Sequence, residues 1–244
     1  MYYDAKGNLI LSQNDKQRPK GLYTYCLYDA QNRIIETGEV NWMNCVYFAD
    51  VPLYDANRNL TTPPNACACQ NLNTSTWTYC MPSSQINFTD NAQFAQTIQS
   101  KPRTQVVITV YDKEFVNLAT QPGMSRQSNL RNRVAASLYY PSYSAYIPSA
   151  YTHATHYSYD AAGNVNCLVQ EFPELSSVHQ QYKRIDYEFD LHSGKVNLLS
   201  YNRGYADQFY QRYSYDADNR IQSVETSHDG FIWKRDASYT YYQH

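Results

Sequence analysis

Residues 213–221 read Tyr-Ser-Tyr-Asp-Ala-Asp-Asn-Arg-Ile, and this stretch decides the fold because the chain repeats it. Residues 157–165 read Tyr-Ser-Tyr-Asp-Ala-Ala-Gly-Asn-Val, which is almost the same sequence. Shorter copies occupy residues 3–9 and 28–34, and each of them begins with Tyr-Asp-Ala. The chain therefore contains an internal repeat that is centred on a Tyr-Asp pair.

The spacing of the copies is nearly constant. Looser copies occupy residues 54–60 and 189–196, and the second of these reaches its glycine one residue late. The first two copies lie 25 residues apart and the last two lie 26 residues apart. Because a fixed period of about 20 to 50 residues indicates an array of supersecondary units, each copy is expected to be one such unit.

Each copy predicts a strand, a tight turn and a second strand. Two tyrosines that are two residues apart project from the same face of an extended strand. The following Asp can accept hydrogen bonds from backbone N–H groups, and the Gly or Asn after it tolerates positive φ. The branched residues that come next are suited to a returning strand. The repeat positions assigned in this way are Tyr3, Asp4, Gly7, Tyr28, Asp29, Asn32, Tyr157, Tyr159, Asp160, Gly163, Tyr187, Asp190, Gly194, Tyr213, Tyr215, Asp216 and Asn219.

Composition limits the functions that are open to the chain. It has 26 Tyr against 8 Phe and 3 Trp, so most aromatic surface carries a hydroxyl that needs water or a partner. A net charge of -2 gives no electrostatic reason to expect nucleic acid as a partner. No apolar stretch approaches the roughly 18 residues that span a bilayer, so no membrane span is expected. Residues 1–4 begin a repeat directly and lack a leader, so an export signal is expected outside this chain.

Three regions follow from the repeat pattern. Residues 1–60 and 151–244 consist of the repeats, and residues 61–150 form a degenerate region with loops and an inserted segment. Within the degenerate region, residues 90–99 predict a short helix because a capping residue precedes Phe94 and Ile98, which are four apart. A strand is expected to end at Tyr111-Asp112, where the repeat resumes without its turn. All three regions are expected to form one continuous segment.

The copies resemble the YD repeats of bacterial RHS proteins and of the animal teneurins, and residues 129–134 also resemble RHS core sequence. The resemblance implies an all-β fold, in which antiparallel hairpins wind in a spiral or solenoid into a hollow shell. In that family the shell encloses or displays a C-terminal toxic or signalling segment of a large secreted or surface polypeptide. The Asp-Pro pair of the RHS autocleavage region does not occur here, so the chain is expected to be an excerpt of a longer polypeptide.

The cysteines and histidines leave alternatives open. Cys67, Cys69 and Cys80 can join a histidine in a zinc site, although their spacing fits no standard zinc pattern. The six cysteines can instead form disulfides in an oxidising compartment. Cys26, Cys45 and Cys167 fall in or near predicted strands, where a small buried residue is the simpler interpretation. His153 and His156 run directly into the predicted strand at Tyr157, and residues three apart on a strand face opposite sides, so polar loop histidines are expected here rather than a metal site.

The sequence predicts no catalytic residue, cofactor site or metal site. One Asp per unit at the start of a turn is better explained by turn capping than by acid catalysis. The resemblance implies a non-enzymatic shell wall, partnered by further YD repeats and a C-terminal cargo, and secreted or on the bacterial cell surface. Two alternatives stay open: an adhesin or carbohydrate-binding module that uses exposed tyrosines, and an enzyme hidden in residues 61–150. The rings of successive hairpins are expected to stack along the inside of the sheet rather than to bind sugars.

Overall fold

A computed structural model describes residues 1–41, 91–121, 124–143 and 151–242. In these ranges the chain is mostly β, as predicted. Thirteen strands form one antiparallel sheet, and each strand is hydrogen-bonded to its neighbours in the chain. Strand order that follows chain order is what consecutive hairpins produce. The loose repeat copy at residues 54–60 lies outside the described residues.

The described strands alternate with short connections. They are β1 Tyr2–Tyr3, β2 Leu9–Ser12, β3 Leu22–Tyr28, β4 Ile34–Asn41, β5 Arg103–Tyr111, β6 Val134–Tyr143, β7 His153–Tyr159, β8 Val165–Glu171, β9 Tyr182–Phe189, β10 Val196–Tyr201, β11 Phe209–Tyr215, β12 Ile221–Ser227 and β13 Lys234–Ser238. One α-helix, α1, spans Asn91–Gln99, and short 3₁₀ helices span Arg18–Lys20, Leu118–Thr120 and Pro173–Val178.

Helix α1 confirms the helix predicted near residues 90–99. Phe94 and Ile98 lie one turn apart and are both fully buried. They belong to a core cluster that also contains Ile10, Leu11, Tyr25, Leu27 and Val40 from strands β2 to β4. The apolar stripe of the helix is therefore covered, which is how a nine-residue helix gains the stability that its length alone does not supply. None of the helices in the described ranges has the length and apolar content that crossing a bilayer requires.

The chain forms two compact units. The first comprises Met1–Val107 and Tyr140–Ser149, and the second comprises Ile108–Tyr139 and Ala150–His244. In the second unit, strand pairing places Tyr157, Leu168 and Ile185 in one cross-strand row. The adjacent row on the opposite face contains His156 and Val169. One face of this sheet is thus mainly aromatic and aliphatic, whereas the other carries buried polar groups.

The first unit buries an ion pair beside its apolar cluster. The Glu36 carboxylate accepts hydrogen bonds from the Arg103 guanidinium and from the Tyr25 hydroxyl, the latter at 2.6 Å. The Arg103 side chain is 1% exposed and also lies 4.5 Å from the centre of the Tyr143 ring. Burial and the neighbouring carboxylate raise the pKa of Tyr25 far above its ordinary value. Because these charges are buried together, removing one partner would leave the other uncompensated.

Gly38 lies in β4 against this cluster. A Cβ atom at Gly38 would lie 2.9 Å from the Tyr25 hydroxyl oxygen and 3.1 Å from Cγ2 of Val106. Both contacts are too close for carbon, and the hydrogen bond to Glu36 holds the tyrosine in place. The absence of a side chain at Gly38 is therefore what allows Tyr25 to lie flat across the strand.

Replacing Gly38 by Ala is expected to lower the free energy of unfolding by about 1 to 3 kcal/mol, because the core becomes overpacked. Urea denaturation of the full chain measures the change. The same substitution in a Tyr25→Phe background is expected to cost less, since the nearest clashing atom is then absent. Equal costs in the two backgrounds would contradict the role assigned to the Tyr25 hydroxyl.

Candidate functional site: the repeated Tyr-Asp turn

An Asp caps each hairpin turn of the repeat. Oδ1 of Asp160 accepts hydrogen bonds from the backbone N–H groups of Gly163 and Asn164, at 2.7 and 2.8 Å. Asp4, Asp29, Asp190 and Asp216 accept equivalent bonds from the backbone of their own turns. The backbone of each turn is therefore held by a side chain that the sequence supplies locally.

The fourth residue after the Asp binds the other carboxylate oxygen. Asn8 and Asn164 donate from their side-chain amides to Oδ2, each at 2.9 Å. Arg33 and Arg220 donate from Nε to the same atom at 2.7 and 2.8 Å. This contact explains why the repeat alternates between Asn and Arg at that position.

These hydrogen bonds lower the pKa of the capping carboxylates. The side chain of Asn164, followed by nearby backbone N–H groups, lowers the pKa of Asp160. The backbone and side chain of Arg220 do the same for Asp216. A carboxylate that stays ionised is suited to accept hydrogen bonds, whereas a general acid needs a pKa nearer the working pH. The geometry favours the capping interpretation of the Asp register.

The turns have the backbone geometry that their residue types predicted. φ is positive at Gly7, Asn32, Gly163, Gly194 and Asn219, with values from 60° to 99°. The Gly194 turn is one residue longer than the others. The Gly194 N–H donates to the carbonyl of Asp190 four residues earlier, whereas the equivalent bond of the other turns spans three residues.

A β-bulge follows each turn. Ser158 pairs with Cys167 but Tyr159 pairs with Val165, so Asn166 is an extra residue on the returning strand. The same kind of register shift occurs in four other hairpins, between Tyr2 and Tyr3, Leu27 and Tyr28, Val196 and Leu198, and Ser214 and Tyr215. A bulge increases the local strand twist, so each hairpin carries the same distortion.

The turn after Tyr111 is missing from the adjacent residues, as predicted, but residues further along the chain replace it. Residues 130–133 lie beside Asp112 and supply the groups of its turn, although they are about twenty positions further along the chain. The Asp112 N–H donates to the carbonyl of Arg133 at 3.2 Å, and the Asn132 N–H donates to Oδ1 of Asp112 at 2.5 Å. Asn132 also has a φ of 58°, like the equivalent Asn in other copies. The signal was present in sequence, because Asn132-Arg133-Val134 matches the ends of two intact copies.

A tyrosine hydroxyl joins each of several hairpins to the preceding one. The hydroxyl of Tyr215 donates to the carbonyl of Val196 at 2.7 Å, and Val196 is the first residue after the preceding turn. Three further pairs have this geometry, with distances of 2.8 to 2.9 Å: Tyr28 with Leu9, Tyr159 with Val134, and Tyr241 with Ile221. We call this contact the hydroxyl clasp. The repeat pattern predicts ring stacking at these tyrosines, and it does not predict the clasp.

Phe189 occupies the clasp position in its copy of the repeat but has no hydroxyl. The equivalent acceptor is the carbonyl of Val165, which is the first residue after the Asp160 turn. The joint between the β7–β8 and β9–β10 hairpins therefore forms without the clasp. The copy that carries this exception is also the one with the longer turn.

Replacing Tyr215 by Phe is expected to lower the free energy of unfolding by about 0.5 to 1.5 kcal/mol, because the Val196 carbonyl loses its donor. Replacing Phe189 by Tyr is expected to raise it by up to a similar amount, because the new hydroxyl reaches the Val165 carbonyl. Urea denaturation measures both changes. Tyr242→Phe is the control, since that ring is 91% exposed, and no change is expected there. A Phe189→Tyr variant that is no more stable than the parent would contradict the clasp.

Replacing Asp160 by Asn should remove one source of acid sensitivity. Because the pKa of Asp160 is lowered on folding, its contribution is complete above the ordinary Asp value near pH 4 and is lost as pH falls through the lowered pKa. The stability difference between parent and variant should therefore be largest above about pH 5 and should shrink below pH 4. Asp236→Asn, at an exposed strand position, controls for the loss of a charge. Parallel loss of stability in parent and Asp160→Asn chains would overturn the assignment.

The second unit contains a buried His-Glu pair on its polar face. Nε2 of His156 lies 2.9 Å from Oε2 of Glu171, and both side chains are almost fully buried. Oε1 of Glu171 accepts from the Gln181 amide at 3.0 Å and from the Tyr182 hydroxyl at 3.3 Å. Burial raises the pKa of Glu171, but the hydrogen bonds from His156 and Gln181 outweigh it and lower the net value. These contacts tie strands β7, β8 and β9 together.

The histidines and cysteines are placed as follows. His153 is exposed and His156 is buried, so the two face opposite sides of β7, and the prediction of polar loop histidines is wrong because both lie in this strand. Cys26 and Cys167 are half-buried free thiols in β3 and β8, and burial raises the pKa of Cys167 to about 12. Across residues 1–41, 91–121, 124–143 and 151–242, no three His, Cys, Asp or Glu residues are grouped as metal ligands. The zinc alternative concerns Cys67, Cys69 and Cys80, and the disulfide alternative concerns all six cysteines. Of these six, Cys45, Cys67, Cys69 and Cys80 lie outside the described residues.

Comparison with known proteins adds no assignment. A scan against protein-family models found no match, and a search of curated proteins found none either.

Proposed function

We propose that this chain is part of the wall of an RHS-type shell of YD repeats, in which successive hairpins wind in a spiral sheet. The wall has no catalytic role of its own. It encloses or presents a C-terminal toxin or effector of a large polypeptide that is secreted or displayed on the bacterial surface. Its partners are further YD repeats and that cargo.

The hydroxyl clasp is the observation that carries this proposal. Each clasp joins the end of one strand to the carbonyl that follows the preceding turn, as Tyr215 does with Val196. A joint that recurs with the same donor and the same acceptor places each hairpin on its neighbour in a similar way. An array with one kind of joint can be extended by adding units, since each unit bonds only its neighbours. A large wall requires that units can be added without a new hydrophobic core for each addition.

The bulges and turn caps support the same proposal. Each bulge adds twist at the same place in its hairpin, beside the capped turn. Twist that accumulates in one sense curves a sheet and favours winding over a flat arrangement. In the intact copies the caps satisfy turn backbone groups without help from other parts of the chain, so the number of units can vary.

Protease protection of the intact polypeptide that carries this chain tests the proposal. The segment that follows the repeats should resist digestion while the wall is intact. In a Tyr28→Phe, Tyr159→Phe, Tyr215→Phe variant it should be cleaved at least several-fold faster. Tyr242→Phe, which removes an exposed hydroxyl, should leave the protection unchanged.

Two outcomes would overturn the container role. One is cleavage of the following segment at the same rate in the intact polypeptide and when produced alone. The other is absence of a hollow particle by electron microscopy together with glycan binding by the intact protein, which would favour an adhesin instead.

A further inference from the structure

The segment that interrupts the Asp112 turn places the side chain of Gln127 between strands β6 and β7, and we call this side chain the wedge. The side-chain amide of Gln127 donates to the carbonyls of Ala135 and Tyr157, at 2.7 and 2.6 Å. These carbonyls belong to β6 and β7 just beyond their last paired residues, Ala136 and His156. The Gln127 side chain therefore takes the place of a backbone pairing between the two strands.

A small cavity lies beneath this wedge. Its volume is about 10 Å³, and its lining includes Gln127, His156, Ser158, Cys167 and Arg184. That volume is about the space that one water molecule needs, and it is too small for an organic ligand. The lining is mixed and includes the polar side chains of Gln127, His156 and Ser158, whereas cavities that stay dry are lined by apolar groups.

Two buried polar atoms of this lining lack partners among the described residues, namely Oε1 of Gln127 and Nδ1 of His156. Both are acceptors. The two amide hydrogens of Gln127 are already donated, so only its oxygen is left. Nε2 of His156 donates to the ionised Glu171, so in the neutral imidazole Nδ1 carries a lone pair.

Two acceptors cannot bond each other, and each costs free energy when it is buried unpaired. They need a donor that has two hydrogens and fits the cavity. A cation could also contact two acceptors, but within the described residues no three His, Cys, Asp or Glu residues are grouped here to hold one.

We infer that the cavity binds one water molecule, which donates one hydrogen to Oε1 of Gln127 and the other to Nδ1 of His156. The water links the inserted segment to the buried His156–Glu171 pair. It also fixes His156 as the neutral tautomer with its proton on Nε2. The site is independent of the shell proposal, because it requires only the wedge and the two strands.

Nuclear magnetic resonance of the full chain tests the inference directly. The imidazole ¹⁵N shifts of His156 should show the neutral tautomer with an accepting Nδ1 at pH 7, and its ring protons should show a cross-peak to a long-lived water. A high-resolution crystal structure should show one density peak within hydrogen-bond distance of both atoms. A proton on Nδ1, or a cavity without density, would overturn the site.

Filling the cavity provides a second test. Val169 lines the cavity, and Val169→Ile adds one methylene group in the same strand. If the water is displaced, its cross-peak is lost and the melting temperature falls below that of a Val224→Ile control, at a buried valine outside the lining. A Val169→Ile chain that melts at a higher temperature than the parent would mean that the gap is dry, and would refute the bound water.

Discussion

The fold depends on how the polar backbone groups at each turn are satisfied. A tight turn leaves N–H and C=O groups that the strand ladder cannot reach, and burying them unpaired would cost about 1 to 3 kcal/mol each. The Asp carboxylate takes the N–H groups within the turn, as at Asp160. A tyrosine hydroxyl from the next hairpin takes the carbonyl just after it, as Tyr159 does for Val134. The hydrogen bonds that satisfy these N–H and C=O groups therefore fix both the turn and the joint between neighbouring hairpins.

These contacts explain why tyrosine, and not phenylalanine, occupies the four clasp positions. The ring packs on the sheet and the hydroxyl reaches a carbonyl of the neighbouring hairpin, so one residue contributes both apolar packing and a hydrogen bond. The turn contacts also explain how the chain tolerates an interruption. The Asp112 turn is completed by residues 130–133 because the cap needs only the right groups in space, not adjacency in sequence. Insertions between the cap and the turn therefore leave the array intact.

The charged groups buried inside the two units are satisfied by partners on other strands, whereas the turn groups are satisfied mainly within the repeat. Glu36 with Arg103 and His156 with Glu171 are each surrounded by further donors, so neither pair leaves a bare charge in the protein interior. Such pairs contribute little net stability against apolar substitutes, but they penalise any arrangement that separates the partners. Each pair spans different strands, so it penalises incorrect pairing of those strands.

The sequence by itself determined the strands, the turns with positive φ, the Asp caps and the short helix, because each depends on residues within a few positions of one another. The tertiary structure alone decided the hydroxyl clasp, the split turn at Asp112 and the partners of Glu36 and His156. These contacts join residues about 15 to 70 positions apart, and no local pattern specifies which carbonyl or carboxylate a side chain will reach. Register between hairpins sets those distances, and it exists only once the strands have paired.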